Sequence, residues 1–172
     1  MCFGRLRDCR QYDDPMKIVL NTSPIIFLGK IDALKLLSAC AHETYVPQGV
    51  VAELHEHELP AFIQAHALSE VGLGYVRGAL GRLHQGELEA IVLAKELAAD
   101  YVVLDDLLAR RKAQRLGLQV IGTVGLLLWI EKKQLLDAGQ TWEKLQQLTE
   151  RHGMYLSPSL REQLKQQLLG GH

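Results

Sequence analysis

Six residues pair hard oxygen donors with a placement that could do chemistry: Asn21, Glu53, Glu87, Glu89, Asp105 and Asp106. They fall in four separate segments, KIVLN (17–21), VAEL (51–54), GELEAI (86–91) and LDD (104–106). Carboxylates crowded into one place repel, so they coexist only with raised pKa values or with a cation between them. Oxygen ligands of this kind select Mg2+ or Mn2+. One or two such ions activate water and stabilise the leaving oxygen in phosphodiester hydrolysis. Each acid also has an ordinary reading. Glu87 and Glu89 suit a helix N-terminus through the macrodipole, and Asp105 or Asp106 can cap the helix that follows. Glu87 and Glu89 lie about 200° apart on a helix, so one alone is expected in a common site, and Glu87 is nearer the helix start.

The elements that must position these residues alternate along the chain. Lys17 to Asn21 is a short β-branched run, closed by the helix-start signal Thr22-Ser23-Pro24. An apolar helical stretch follows, with Ile25, Ile26, Leu28, Ile31 and Leu34 to Leu37. Thr44 to Pro47 reads as a second strand, and the helix after it carries Val50, Val51, Glu53 and Leu54. A strong helix starts at Gly86; Tyr101 to Asp106 is the third strand, followed by a charged helix that stops at Gly117. Leu118 to Gly122 is the fourth strand, followed by the helix TVGLLLWIEKKQLL. Gln140 to Leu169 reads as two amphipathic helices split at Gly153 and Pro158. Residues 61–83 are the least readable, and the glycines of VGLGYVRGALG (71–81) fit a loop that lets helices pass closely. Short strands separated by helices predict parallel pairing in a layered α/β domain. In such a sheet ligands bind beyond the carboxyl ends of the strands, where the acids fall.

Composition narrows the class. The 172 residues carry 19 Lys plus Arg against 20 Asp plus Glu, a formal net charge of −1, which excludes a strongly basic nucleic-acid coat. The three cysteines, Cys2, Cys9 and Cys40, have no framework spacing, and no apolar run reaches a membrane span. A soluble, cytoplasmic protein is expected. Residues 1–15 lack periodicity and read as a disordered leader or a start-site extension before Met16, with a single domain over 16–172. No GxSxG elbow, P-loop or Cys-His pairing is present. His55-Glu56-His57 does not make a zinc site, because residues i and i+2 do not share a helix face.

The ordered set resembles the PIN domain, the fold of VapC-type toxin ribonucleases. Asn21-Thr22-Ser23-Pro24-Ile25-Ile26, Val51-Ala52-Glu53-Leu54, Gly86-Glu87-Leu88-Glu89-Ala90-Ile91 and Leu104-Asp105-Asp106 match its four motifs in order. Gly122 to Leu128 and Gly153 to Leu160 resemble a subgroup that opens on Asn-Thr-Ser-Pro. The resemblance covers roughly Met16 to Leu168. It implies a three-layer α/β domain with a central parallel sheet of four to five strands flanked by helices, plus C-terminal helices. It further implies Mg2+ or Mn2+ held by Asn21, Glu53, Glu87 and Asp105, with catalysis by Glu53, Glu87, Asp105 and Asp106. Glu89, Ser23 and Thr123 would orient these ligands. RNA cleavage, a small antitoxin protein as partner, and a homodimer are implied as well.

One position departs from the pattern: the usual first Asp is Asn21 here. An amide oxygen can ligate a cation but brings no charge and cannot act as a base. Asp106 and Glu89 restore the charge count. The helix 107–117 adds Arg110, Arg111 and Arg115, suited to the RNA backbone or to an ordinary solvated face. The alternative to a metal-dependent endoribonuclease is a catalytically weak or inactive module of the same fold that binds nucleic acid or protein.

Overall fold

A computed structural model describes residues 16–55, 57–79 and 81–171; the leader 1–15, with Cys2 and Cys9, lies outside the described residues. The strands are β1 (Lys17–Leu20), β2 (Glu43–Pro47), β3 (Ile63–His66), β4 (Tyr101–Val103) and β5 (Val120–Ile121). They form one five-stranded sheet in the order β3-β2-β1-β4-β5. Every pairing is parallel, with Ile18 of β1 opposite Thr44 on one side and Tyr101 on the other. Helix α1 (Thr22–Lys30) and a 3-10 turn (Leu34–Ala39) lead from β1 to β2, and α2 (Gln48–Leu54) leads from β2 to β3. Helices α3 (Glu70–Ala79) and α4 (Gln85–Glu96) then return the chain across the sheet to β4, and α5 (Leu107–Arg115) joins β4 to β5. Helices α6 (Thr123–Lys132), α7 (Ala138–Arg151) and α8 (Pro158–Leu169) follow.

Alternation along β1 builds the layers, because successive side chains point to opposite faces. Ile18 and Leu20 join one core with Ile25 and Leu28 of α1, Val50 and Leu54 of α2, and Leu126, Leu145 and Leu164 of the last three helices. Val19 points the other way, to Ile91 of α4 and to Ala109 and Ala113 of α5. The result is the expected three-layer α/β domain with five strands and C-terminal helices. Strand order reverses between β1 and β4, the switch point where an open α/β sheet leaves a crevice. Helix α4 sits under that crevice and is buried at every position from Gly86 to Ala94. A helix covered on all sides cannot keep its acids in solvent.

Several elements differ from the sequence reading. The apolar stretch after β1 breaks at Asp32, which takes a positive φ of 54° before the 3-10 turn; an aspartate tolerates that conformation better than most residues. Strand β4 ends at Val103, two residues short of Asp105. The segment read as a glycine loop is helix α3. Ser69 holds its start: the hydroxyl accepts from Gly72 N at 3.0 Å, and both its N–H and hydroxyl donate to Glu96 at the end of α4. Gly72 lies against Val92 and Glu96, and Val76 packs on Leu88, so tertiary packing overrides the poor helix propensity of three glycines. At the end of α5, Gly117 takes φ +82°, the left-handed turn expected after that helix.

Candidate functional site

The acids named from the sequence stand around the carboxyl ends of β1, β2 and β4. Asn21 follows β1 directly, and its N–H donates to the Val103 carbonyl of β4 at 3.3 Å, so the two inner strands meet at this residue. It occupies the N-cap position of α1 but its side chain makes no capping bond. The amide is 6% exposed.

Glu53 lies in the last turn of α2 and is exposed. Its Oε2 accepts from the Thr22 hydroxyl at 2.7 Å, which ties α2 to the first turn of α1. Its carboxylate rests against Gly86: a Cβ there would stand 2.7 Å from Oε1. Glu87, 8% exposed, accepts from the His84 N–H at 3.0 Å and so closes the first turn of α4. Burial pushes its carboxyl above the usual range, the His84 N–H opposes that, and the charges of Asp106 and Glu53 add to the rise. Three carboxylates on three separate elements therefore feel one another here.

Asp105 is held differently. Its Oδ1 accepts from the Thr123 N–H at 2.8 Å and its Oδ2 from the Thr123 hydroxyl at 2.7 Å, a two-point clamp by the start of α6. Asp106 caps α5, with Oδ1 accepting from Ala109 N at 2.9 Å. Glu89 takes partners outside this group. Its Oε1 accepts from Gln85 at 2.8 Å and its other oxygen presses on Gly49 of α2. Ser23 is exposed on the first turn of α1. Arg110 turns back over Gly122 and donates to the Leu104 carbonyl at 3.3 Å, whereas Arg111 and Arg115 are exposed along α5.

The donor types suit a hard divalent cation: carboxylates and an amide, with Glu87 buried beside two further negative charges. As the side chains stand, no three of His, Cys, Asp and Glu among the described residues are close enough together to hold a metal ion. The carboxylates are instead tied to Thr22, the His84 N–H, Thr123 and the Ala109 N–H, bonds that a modest rotation exchanges for a cation at exposed Glu53 more readily than at clamped Asp105.

Sequence reasoning did not single out Thr22 as the partner of Glu53, nor Gly49 and Gly86 as the places where α2 and α4 touch. A glycine four residues before Glu53 and another just before Glu87 are the signal for such an approach, since only a bare backbone leaves room for the opposite carboxylate.

Comparison with known proteins agrees with the fold. Residues 17–169 match the model of the family DUF3368, described as PIN domain. No curated protein matches the chain. Among solved structures it is similar to a PilT N-terminus domain protein from the hyperthermophilic archaeon Sulfolobus solfataricus, with 21% sequence identity, a TM-score of 0.47, and coverage of 82% of this chain and 100% of that one. PIN domains are generally nucleases and commonly use divalent metals. Among the described residues no helix is long and apolar enough to cross a membrane. With nearly its whole length matched to the family model, the chain belongs to the PIN-domain family.

Proposed function

We propose that the protein is a divalent-metal-dependent endoribonuclease, acting in the cytoplasm as the toxin of a toxin–antitoxin pair, with a small antitoxin as partner and a homodimer as its working form. The observation that carries the nuclease reading is Glu87, buried at the switch point and pushed towards its neutral form with Glu53 and Asp106 beside it. A cation relieves that repulsion. The toxin role, the antitoxin and the homodimer rest on the resemblance of the four motifs.

In this reading Glu53, Glu87 and Asp105, helped by Asn21, hold Mg2+ or Mn2+. The ion would supply water activation and neutralise charge on the phosphate. Thr22 and Thr123 orient the carboxylates of Glu53 and Asp105. Asp106, with one oxygen committed to its cap, keeps the other for orienting the attacking water. Arg111 and Arg115 meet the RNA backbone.

The second reading is a module of the same fold that binds without turnover. Two observations favour it: both oxygens of Asp105 are occupied by Thr123, and the first acid of the pattern is an amide. Incubation of total RNA with the full chain in Mn2+, Mg2+ or EDTA separates the two. Cutting in Mn2+ or Mg2+ that stops in EDTA and falls at least about a hundredfold in Glu87→Gln and Glu53→Gln supports the nuclease. Intact RNA under all three conditions overturns it in favour of the module.

A further inference from the structure

We propose that the surface between α3 and α5 is a binding rail for single-stranded RNA, with Tyr75 stacking a nucleobase and Lys112 holding the adjoining phosphate. This deepens the endoribonuclease reading and rests on it for the identity of the polymer. Lys112 of α5 places its Nζ 5.8 Å from the centroid of the Tyr75 ring of α3, so the two helices are bridged across α4 by a cation and an aromatic plane. Tyr75 is 41% exposed although it sits next to buried Val76, which packs on Leu88, the neighbour of Glu87. Its ring thus remains open to solvent while its helix is anchored on α4 through Val76. Gly74 and Gly78 on the same helix have nothing within 4 Å of where a Cβ would stand, so no neighbouring side chain shields the approach.

Helix α5 runs from this bridge towards the acids. Leu108, one turn before Lys112 and on the same face, is 43% exposed, and Asp106 stands two residues before it at the helix cap. Exposed Leu108 and the cations Arg111 and Lys112 therefore share one face of α5, with the Tyr75 ring of α3 set against Lys112. A single strand offers an unpaired base to the ring and the adjoining phosphates to the cations, and base–aromatic stacking tolerates any sequence. In a duplex the bases are already stacked and hidden, so the same surface offers it only the cations. An acidic peptide would match the cations and leave the exposed ring and leucine unused.

The test is binding of a fluorescent single-stranded oligoribonucleotide to the full chain in EDTA, with a duplex of equal length beside it. Tyr75→Ala should weaken single-strand binding about tenfold and duplex binding less than about twofold, and Tyr75→Phe should restore it. Lys112→Ala should lower the salt dependence by about one phosphate contact. The rail is overturned if the wild type does not bind the single strand, or if Tyr75→Ala, folded by circular dichroism, binds as the wild type does or loses both polymers alike. It is overturned equally if a glutamate-rich peptide binds more tightly than RNA and through Tyr75. Should Tyr75→Ala not fold, Tyr75→Phe binding like the wild type with a reduced salt slope in Lys112→Ala supports the rail, and any other pair of results overturns it. Because EDTA separates binding from cutting, Tyr75-dependent binding without cleavage in Mn2+ sinks the nuclease alone. Cleavage with Tyr75-independent binding sinks the rail alone.

Discussion

Glu53 of α2 lies across the bare backbone of Gly86 in α4, so close that a Cβ at position 86 would stand 2.7 and 2.9 Å from its two carboxylate oxygens. The relationship is reciprocated four residues earlier in α2, where Gly49 receives the carboxylate of Glu89. Two helices thus meet through two glycines, and each glycine admits an acid from the other helix.

The two contacts predict different losses of stability for the same substitution. Glu53 is exposed and can swing aside, so Gly86→Ala should change stability by less than about 1 kcal/mol while displacing a proposed ligand and lowering cleavage. Glu89 is 4% exposed and hydrogen-bonded to Gln85, so Gly49→Ala should destabilise by about 1–3 kcal/mol. Thermal melts of both variants, with cleavage rates alongside, check this. Equal losses of stability would refute the difference in how freely the two carboxylates move.

How much of this was legible in the sequence follows from where the burial lies. Strands β1 and β4 carry runs of buried aliphatic residues and β2 buries Thr44, Val46 and Pro47, so they and the acids after them could be read from the chain. Strand β3 could not, because it is an edge strand whose only buried residue is Ile63. Helix α3 was hidden by Gly72, Gly74 and Gly78, which lower helix propensity until packing on α4 outweighs them. The separation of about 200° favoured Glu87 over Glu89 for a common site, but burial of both was not expected: α4 is covered from Gly86 to Ala94, a tertiary fact that no local pattern in GELEAI carries. The Thr22–Glu53 and Thr123–Asp105 bonds join residues distant in sequence, and spacing does not encode them.

Thr123 should matter through its hydroxyl. It is fully buried and gives Asp105 both a backbone N–H and Oγ1. Thr123→Val keeps the shape and the N–H but removes the hydroxyl donor to a carboxylate, at an expected cost of about 1–3 kcal/mol, whereas Thr123→Ser should stay near the wild type. Chemical denaturation of the three proteins measures it; a valine variant as stable as the serine one would mean the hydroxyl bond to Asp105 contributes nothing to stability.

Glu87 sets a pH dependence. Its carboxyl is raised by burial first and by Asp106 and Glu53 next, so the folded chain holds this proton more tightly than the unfolded chain, whose value is near 4.5. That contribution to stability is present in full below the unfolded pKa and is lost as pH rises through the folded one. Without added metal, Glu87→Gln should therefore melt above the wild type at pH 7, because the amide carbonyl still accepts from the His84 N–H without carrying charge. The gap should close as pH falls towards 4.5. Melting curves from pH 4 to 8 in EDTA provide the check, and a gap that widens on acidification would reverse the sign of the shift.

Asn21→Asp should separate charge from geometry at the same crevice. The residue is buried, its side chain does not cap α1, and its backbone joins β1 to β4, so an aspartate there adds a negative charge near the other acids without breaking a cap. Burying a carboxylate that lacks a partner is unfavourable, so the metal-free variant should melt below the wild type. A cation bound only by the folded chain reverses this in proportion to its affinity, so the rise in melting temperature with millimolar Mn2+ should be larger for Asn21→Asp than for the wild type. If Mn2+ moves neither protein, the crevice does not hold a cation even with its full set of charges. If it moves both equally, the Asn21 side chain lies outside the cation's reach, and the ligands are to be sought among Glu53, Glu87 and Asp105 alone.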